Sequence, residues 1–150
     1  MLVMLTIGVT MSGCRTKSRE IDFEIGFNGA NMSFSQNLKS VVKTFPEWNA
    51  LRENNPPSFI GLDTDSGQFG AEYDEHFFIE NALIVFSFIE SNGIYSTQIT
   101  NIKVRGKKAI VTANITLADS DVMGEGLVLL EVKKSAISNV NSVSIVRIIK

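Results

Sequence analysis

The 150-residue chain has one cysteine, one histidine and no excess of positive charge, and each shortage removes a class of function. A single cysteine can make neither an internal disulfide nor a thiolate metal cluster. The lone His76 has no second imidazole to share a metal and no nucleophile with an orienting partner beside it, so it reads as a surface or helix-end residue. Fourteen basic against sixteen acidic residues leave a net charge of −2. That excludes general affinity for nucleic acid, which depends on clustered Lys and Arg displacing counterions. No apolar run reaches the roughly 18 to 20 residues that cross a bilayer as a helix. A Gly-rich phosphate loop is also missing, because Gly67-Gln68-Phe69-Gly70 neither follows a strand nor opens a helix with a lysine. What is present is a chain with 44% apolar and 20% charged residues. At this length a single domain buries roughly two-thirds of its unfolded surface and needs no staple.

The first thirteen residues, MLVMLTIGVTMSG, carry no charge, and a polar cluster from Arg15 to Glu20 follows Cys14. A short apolar stretch ending in small residues reads as a secretory h-region and cleavage site. Met11-Ser12-Gly13-Cys14 resembles the lipobox of bacterial lipoproteins. That resemblance implies diacylglycerol on the Cys14 thiol, cleavage before it, and a mature chain held at the membrane of the cell envelope by two or three acyl chains. The expected division is a signal peptide over residues 1–13, a lipidated cysteine and tether over 14–20, and one domain over 21–150.

Within that domain, Ile21, Phe23, Ile25 and Phe27 alternate with polar residues or glycine and predict one half-buried strand. Leu38 to Lys43 is a second short strand. Thr44-Phe45-Pro46-Glu47 is a helix start, with Thr44 and Glu47 capping reciprocally and Pro46 placed where no amide donor is needed. Trp48 and Leu51 give that helix its apolar face, and Asn54-Asn55-Pro56-Pro57 stops it. Asp74 caps a second short helix, Leu83 to Ile89 is apolar on both faces as a central strand should be, and Asn92-Gly93 is a turn. Ile94 to Arg105 and Lys108 to Leu117 form a hairpin about Gly106, with a bulge near Thr100 where the alternation slips. Leu127 to Val132 and Val143 to Ile149 complete the strands. The fold class is α+β: a mostly antiparallel β-sheet with two short helices inserted in the N-terminal half.

Charge is unevenly placed. From Glu53 to Thr100 there are eight acidic residues and no Lys or Arg, and Lys103, Arg105, Lys107 and Lys108 follow at once. Asn92, Gly93 and Tyr95 at the turn, with those four cations, are the candidate partner-binding residues. Asp63, Asp65 and Asp74 occupy the first, third and twelfth places of a calcium-loop spacing, but Gln68 stands where such a loop needs glycine at its sixth. They are the candidate metal ligands. Trp48, Tyr73, Phe77 and Phe78 read as core. No catalytic constellation is found, and no cofactor is expected.

Val41-Val42-Lys43-Thr44-Phe45-Pro46-Glu47-Trp48 and the run from Tyr73-Asp74-Glu75-His76-Phe77-Phe78 to Leu83-Ile84-Val85 resemble the PrcB-like domain of bacterial protease-complex subunits and lipoproteins. That family has a hydroxyl residue, an aromatic and then a Trp at a helix start, and a Tyr-Asp-Glu-x-Phe-Phe segment leading into a central strand. Where its fullest form carries a Gly-Gly-Tyr-like turn, this chain has Asn92-Gly93-Ile94-Tyr95. The resemblance implies an exported, mostly β domain without catalytic residues, acting as an accessory to a surface protease. The expectation is therefore a non-catalytic, lipid-anchored envelope protein that binds another protein. Two alternatives are a small-ligand or Ca2+-binding lipoprotein using Gly61 to Asp74, and a protease-inhibitor-like module presenting Asn92 to Tyr95.

Overall fold

Strand β4, Asn81–Glu90, is the hub of the molecule, and its sequence explains why. Ala82, Ile84, Phe86 and Phe88 point to one side and Leu83 and Val85 to the other, and all six are buried. A strand with two apolar faces needs a partner layer on each. In the computed structural model, which describes residues 17–30, 37–55, 73–119 and 123–150, a second sheet covers one side of β4 and helices cover the other.

The chain runs β1 (Arg19–Ile21), β2 (Glu24–Ala30), β3 (Lys39–Val42), α1 (Phe45–Asn54), α2 (Phe77–Glu80), β4, β5 (Ile94–Arg105), β6 (Lys108–Leu117), β7 (Gly124–Lys133), a 3-10 turn (Lys134–Ile137) and β8 (Ser142–Ile149). One sheet has the order β1-β5-β6-β8 and the other β2-β7-β4-β3. Every pairing is antiparallel except β6 with β8, which is parallel. The main core lies between the sheets. It combines the inward residues of β4 and β7 with Ile99, Ile102 and Val104 of β5 and with Val111, Ala113 and Ile115 of β6. A second core lies on the other face of β4 and β7, where Leu83, Val85, Leu127 and Leu129 meet Trp48 of α1, Phe78 of α2 and Tyr73. Burying each such side chain stabilises the fold by about 1.5 to 3 kcal/mol.

The class is the expected α+β, and several boundaries match the reading from sequence. The β5–β6 hairpin spans the predicted residues, turns at Gly106 with φ 59°, and shifts register between Ile99 and Asn101. A positive φ of that size suits glycine, which has no Cβ to clash. Helix α1 carries the predicted capping box: Thr44 Oγ1 accepts from the Glu47 amide, and the Glu47 carboxylate accepts from the amides of Thr44 and Lys43. The second helix, expected over Glu75 to Asn81 from the sequence, is confined to Phe77–Glu80, with Asp74 Oδ1 accepting the Phe77 amide at 2.9 Å.

The first strand is corrected. Ile21 to Phe27 is two strands, β1 pairing with β5 and β2 pairing with β7 in the opposite sheet. A bulge at Gly26 then shifts the phase, so Ile25 sits opposite Leu130 of the main core while Phe27 sits opposite Leu129 of the helical side. A Cβ at Gly26 would run into the Tyr73 hydroxyl and Glu131, which fixes glycine there.

Candidate functional site

The residues singled out in the sequence fall at opposite ends of the sandwich. Asn92 and Gly93 lie in the turn between β4 and β5, and Tyr95 follows in a bulge between Ile94 and Ser96. The Gly93 carbonyl accepts the Ala118 amide, which anchors this turn to the end of β6. Tyr95 itself is 79% exposed. Lys103, Arg105, Lys107 and Lys108 lie at the other end, roughly 25 to 35 Å away at about 3.3 Å per strand residue. The seven residues therefore make two surfaces.

The turn end gathers apolar surface. Among the described residues, the exposed large apolar side chains are Ile25, Ile79, Tyr95, Met123, Val146, Ile148 and Ile149. Register places Tyr95, Met123, Ile148 and Ile149 all at this end, though not on one face: Ile149 pairs with Ile115, Ile115 with Thr97, Ile148 points to the opposite face of β8 from Ile149, and Met123 precedes Gly124 of the other sheet, the residue paired with Glu90. Four of the seven exposed large apolar side chains thus lie at one end of the sandwich.

The hairpin end gathers positive charge. Lys103, Arg105, Lys107 and Lys108 are all exposed. Arg105 and Lys108 sit directly opposite one another across the hairpin, a like-charge pairing that is unfavourable by itself. Strand β1 brings Arg19 opposite Val104, and Lys17 and Arg19 line a recess of about 300 Å³ with Gly106 and Asn139. Arg19 also donates to the Ala136 carbonyl. Glu20, opposite Lys103, is the one carboxylate on these paired positions. None of the ion pairs formed among the described residues involves these six cations.

Other polar groups with chemical potential are occupied by the fold. Tyr73 packs edge-on against Trp48 and Phe77, with ring centroids 5.3 and 4.8 Å apart, and its hydroxyl donates to Glu131 Oε1 at 2.9 Å. Burial, then the Glu131 charge and that hydrogen bond, push the Tyr73 hydroxyl far above the ordinary tyrosine value, so it stays a donor. Glu90 is nearly enclosed, its side chain 10% exposed, and is met by Arg147 Nη1 at 2.6 Å. The Phe77 amide is the main cause holding the Asp74 carboxyl below its usual range, with the desolvation that opposes it outweighed and His76 helping from 3.6 Å. Asp74 is thus a helix cap, while Asp63, Asp65 and Cys14 lie outside the described residues. His76 is exposed, as expected.

Sequence reasoning missed the Tyr73–Glu131 and Glu90–Arg147 contacts, although a signal was there. Glu131 interrupts the apolar run of β7 and Glu90 ends the apolar run of β4, and an acid drawn into the buried part of a sheet requires a donor. A cavity of about 440 Å³ beside Glu131 is lined by Asp22, Glu24, Asn81 and Lys133 among others. Among the described residues no three His, Cys, Asp or Glu side chains converge as metal ligands, and no helix is long and apolar enough to cross a membrane. No protein-family model, no curated protein and no solved structure matches the chain.

Proposed function

We propose that this protein is a non-catalytic, lipid-anchored envelope protein with a PrcB-like domain, and that the domain binds another protein, a surface protease being the partner class the resemblance implies. The observation that carries the protein-binding part is the exposure of four large apolar side chains, Tyr95, Met123, Ile148 and Ile149, at the turn end. A flat, partly apolar strand end suits a macromolecule better than a small molecule, which takes a deep concave site. The polar groups of the interior support the same reading, since Tyr73, Glu131 and Glu90 are committed to partners within the fold.

The test is recovery of a partner from the native envelope after mild crosslinking. The wild-type protein is expected to retrieve one reproducible envelope protein, and Tyr95→Ser with Ile148→Ser to reduce that recovery at least tenfold, since aromatic and apolar anchors at interfaces are commonly worth about 1 to 2 kcal/mol or more each. Equal recovery by wild type and variant would remove this surface from the proposal. A second reading rests on Tyr95 alone: so exposed an aromatic beside an anchored turn is also the shape of an inhibitory loop. Inhibition of a small protease panel by the wild-type protein, lost in Tyr95→Ser, would establish it.

A further inference from the structure

We infer that the hairpin end is a docking surface for the anionic headgroups of the bilayer that carries the anchor. The inference deepens the lipoprotein reading of Cys14 and rests on it for orientation. Three independent features meet at this end. First, Lys17, Arg19, Lys103, Arg105, Lys107 and Lys108 are brought together from three strands and a preceding tether, against the single carboxylate of Glu20. Sequence alone separates Lys17 and Arg19 from the other four by more than eighty positions, and the antiparallel pairing of β1 with β5 removes that separation.

Second, the cluster is internally unfavourable. Arg105 faces Lys108 across the ladder, and the ion pairs formed among the described residues leave all six cations out. An anionic surface relieves the repulsion that the fold maintains. Third, the tether fixes the distance. Cys14 lies three residues before Lys17, and three residues span at most about 11 Å. A chain acylated at Cys14 therefore keeps the recess lined by Lys17, Arg19, Gly106 and Asn139 within reach of the headgroups. The other acidic residues near this end, Asp22, Glu24, Glu47, Asp74, Glu75, Glu80 and Glu131, belong to the other sheet and its helical side or to the crossing between the sheets, so the half of the end formed by the first sheet is the half that approaches lipid. In that pose the turn carrying Asn92 and Tyr95 points away from the membrane.

The experiment uses the full chain with Cys14→Ser, so that acylation plays no part, and measures partition onto vesicles of phosphatidylcholine alone or with 30% phosphatidylglycerol. Partition is expected to favour the anionic vesicles strongly at low salt and to lose that preference in 0.5 M salt. Each Lys or Arg at such a surface contributes about fivefold, so Lys107→Gln with Lys108→Gln is expected to cut the anionic preference about 25-fold. The charge-matched control, Lys39→Gln with Lys150→Gln, removes two exposed cations from other parts of the fold and is expected to leave the preference unchanged. Equal partition onto the two vesicle types, or an equal loss in the control, overturns the inference. Metabolic labelling of wild-type Cys14 with a palmitate analogue decides the anchor separately, so a failed surface and a failed anchor give different results.

Discussion

Tyr73 shows how one side chain can tie two layers and set a limit on pH. Its ring fills the helical core and its hydroxyl reaches Glu131 on β7, while Gly26 on β2 leaves the room for that hydroxyl. Because the folded tyrosine is held protonated far above the ordinary value of 10.0, its contribution is complete below pH 10. As pH rises past 10 the unfolded chain releases this proton and the folded chain retains it, so stability falls. Urea melts should therefore show a steeper alkaline loss for wild type than for Tyr73→Phe. At neutral pH the variant is expected to be less stable by about 1 to 2 kcal/mol, the worth of a hydrogen bond to a carboxylate that is then left short of a donor. Identical alkaline slopes would contradict the assignment. The residue was legible only as an aromatic; its pairing with an acid 58 positions away is a tertiary fact that periodicity does not encode.

Elements whose determinants are local were readable, and those set by distant pairing were not. Thr44, Pro46 and Glu47 place the start of α1 within four residues, and Gly106 with its flanking alternation places the hairpin. Thr44→Ala should cost about 1 kcal/mol in chemical denaturation, with Thr44→Ser near neutral. A loss below a few tenths would mean that the packing of Trp48, with Arg52 over its ring at 5.8 Å, holds the helix unaided. The split of Ile21 to Phe27 had no comparable local mark. Both sheets turn an apolar face to one shared core, so a chain crossing from one sheet to the other keeps an alternating pattern through Asp22 and Phe23. The cationic cluster was half legible for the same reason: the hairpin contributes four nearby charges, while pairing of β1 adds Arg19 and brings Lys17, two residues before it, to the same end.

At the scale of the whole molecule, the six cations gather at the hairpin end and Tyr95, Met123, Ile148 and Ile149 at the turn end, while Ile25 and Ile79 are exposed on the other sheet's side of the hairpin end. The uneven charge visible in the sequence, an acidic stretch followed by a basic hairpin, did not foretell this arrangement, because Asp74, Glu75 and Glu80 of that stretch lead into β4 at the same end as the hairpin. The one parallel pairing adds a further consequence. To reach its place beside β6, the chain must leave that sheet, lay down β7 in the centre of the other, and return through the 3-10 turn to β8. The last strand thus closes the first sheet only after the second is in place. Deleting Ser142 to Lys150 should strip Val143 and Ile145 from the main core and leave β6 as an open edge; loss of a cooperative thermal transition and rapid cleavage by trypsin are the expected readouts, and a retained transition would show that the edge is dispensable. Order of assembly follows from this path: neighbouring hairpins can form early and locally, whereas the first sheet is complete only once Ser142 to Ile149 has joined β6, a step that carries the slower, millisecond-to-second kinetics of non-local strand pairing.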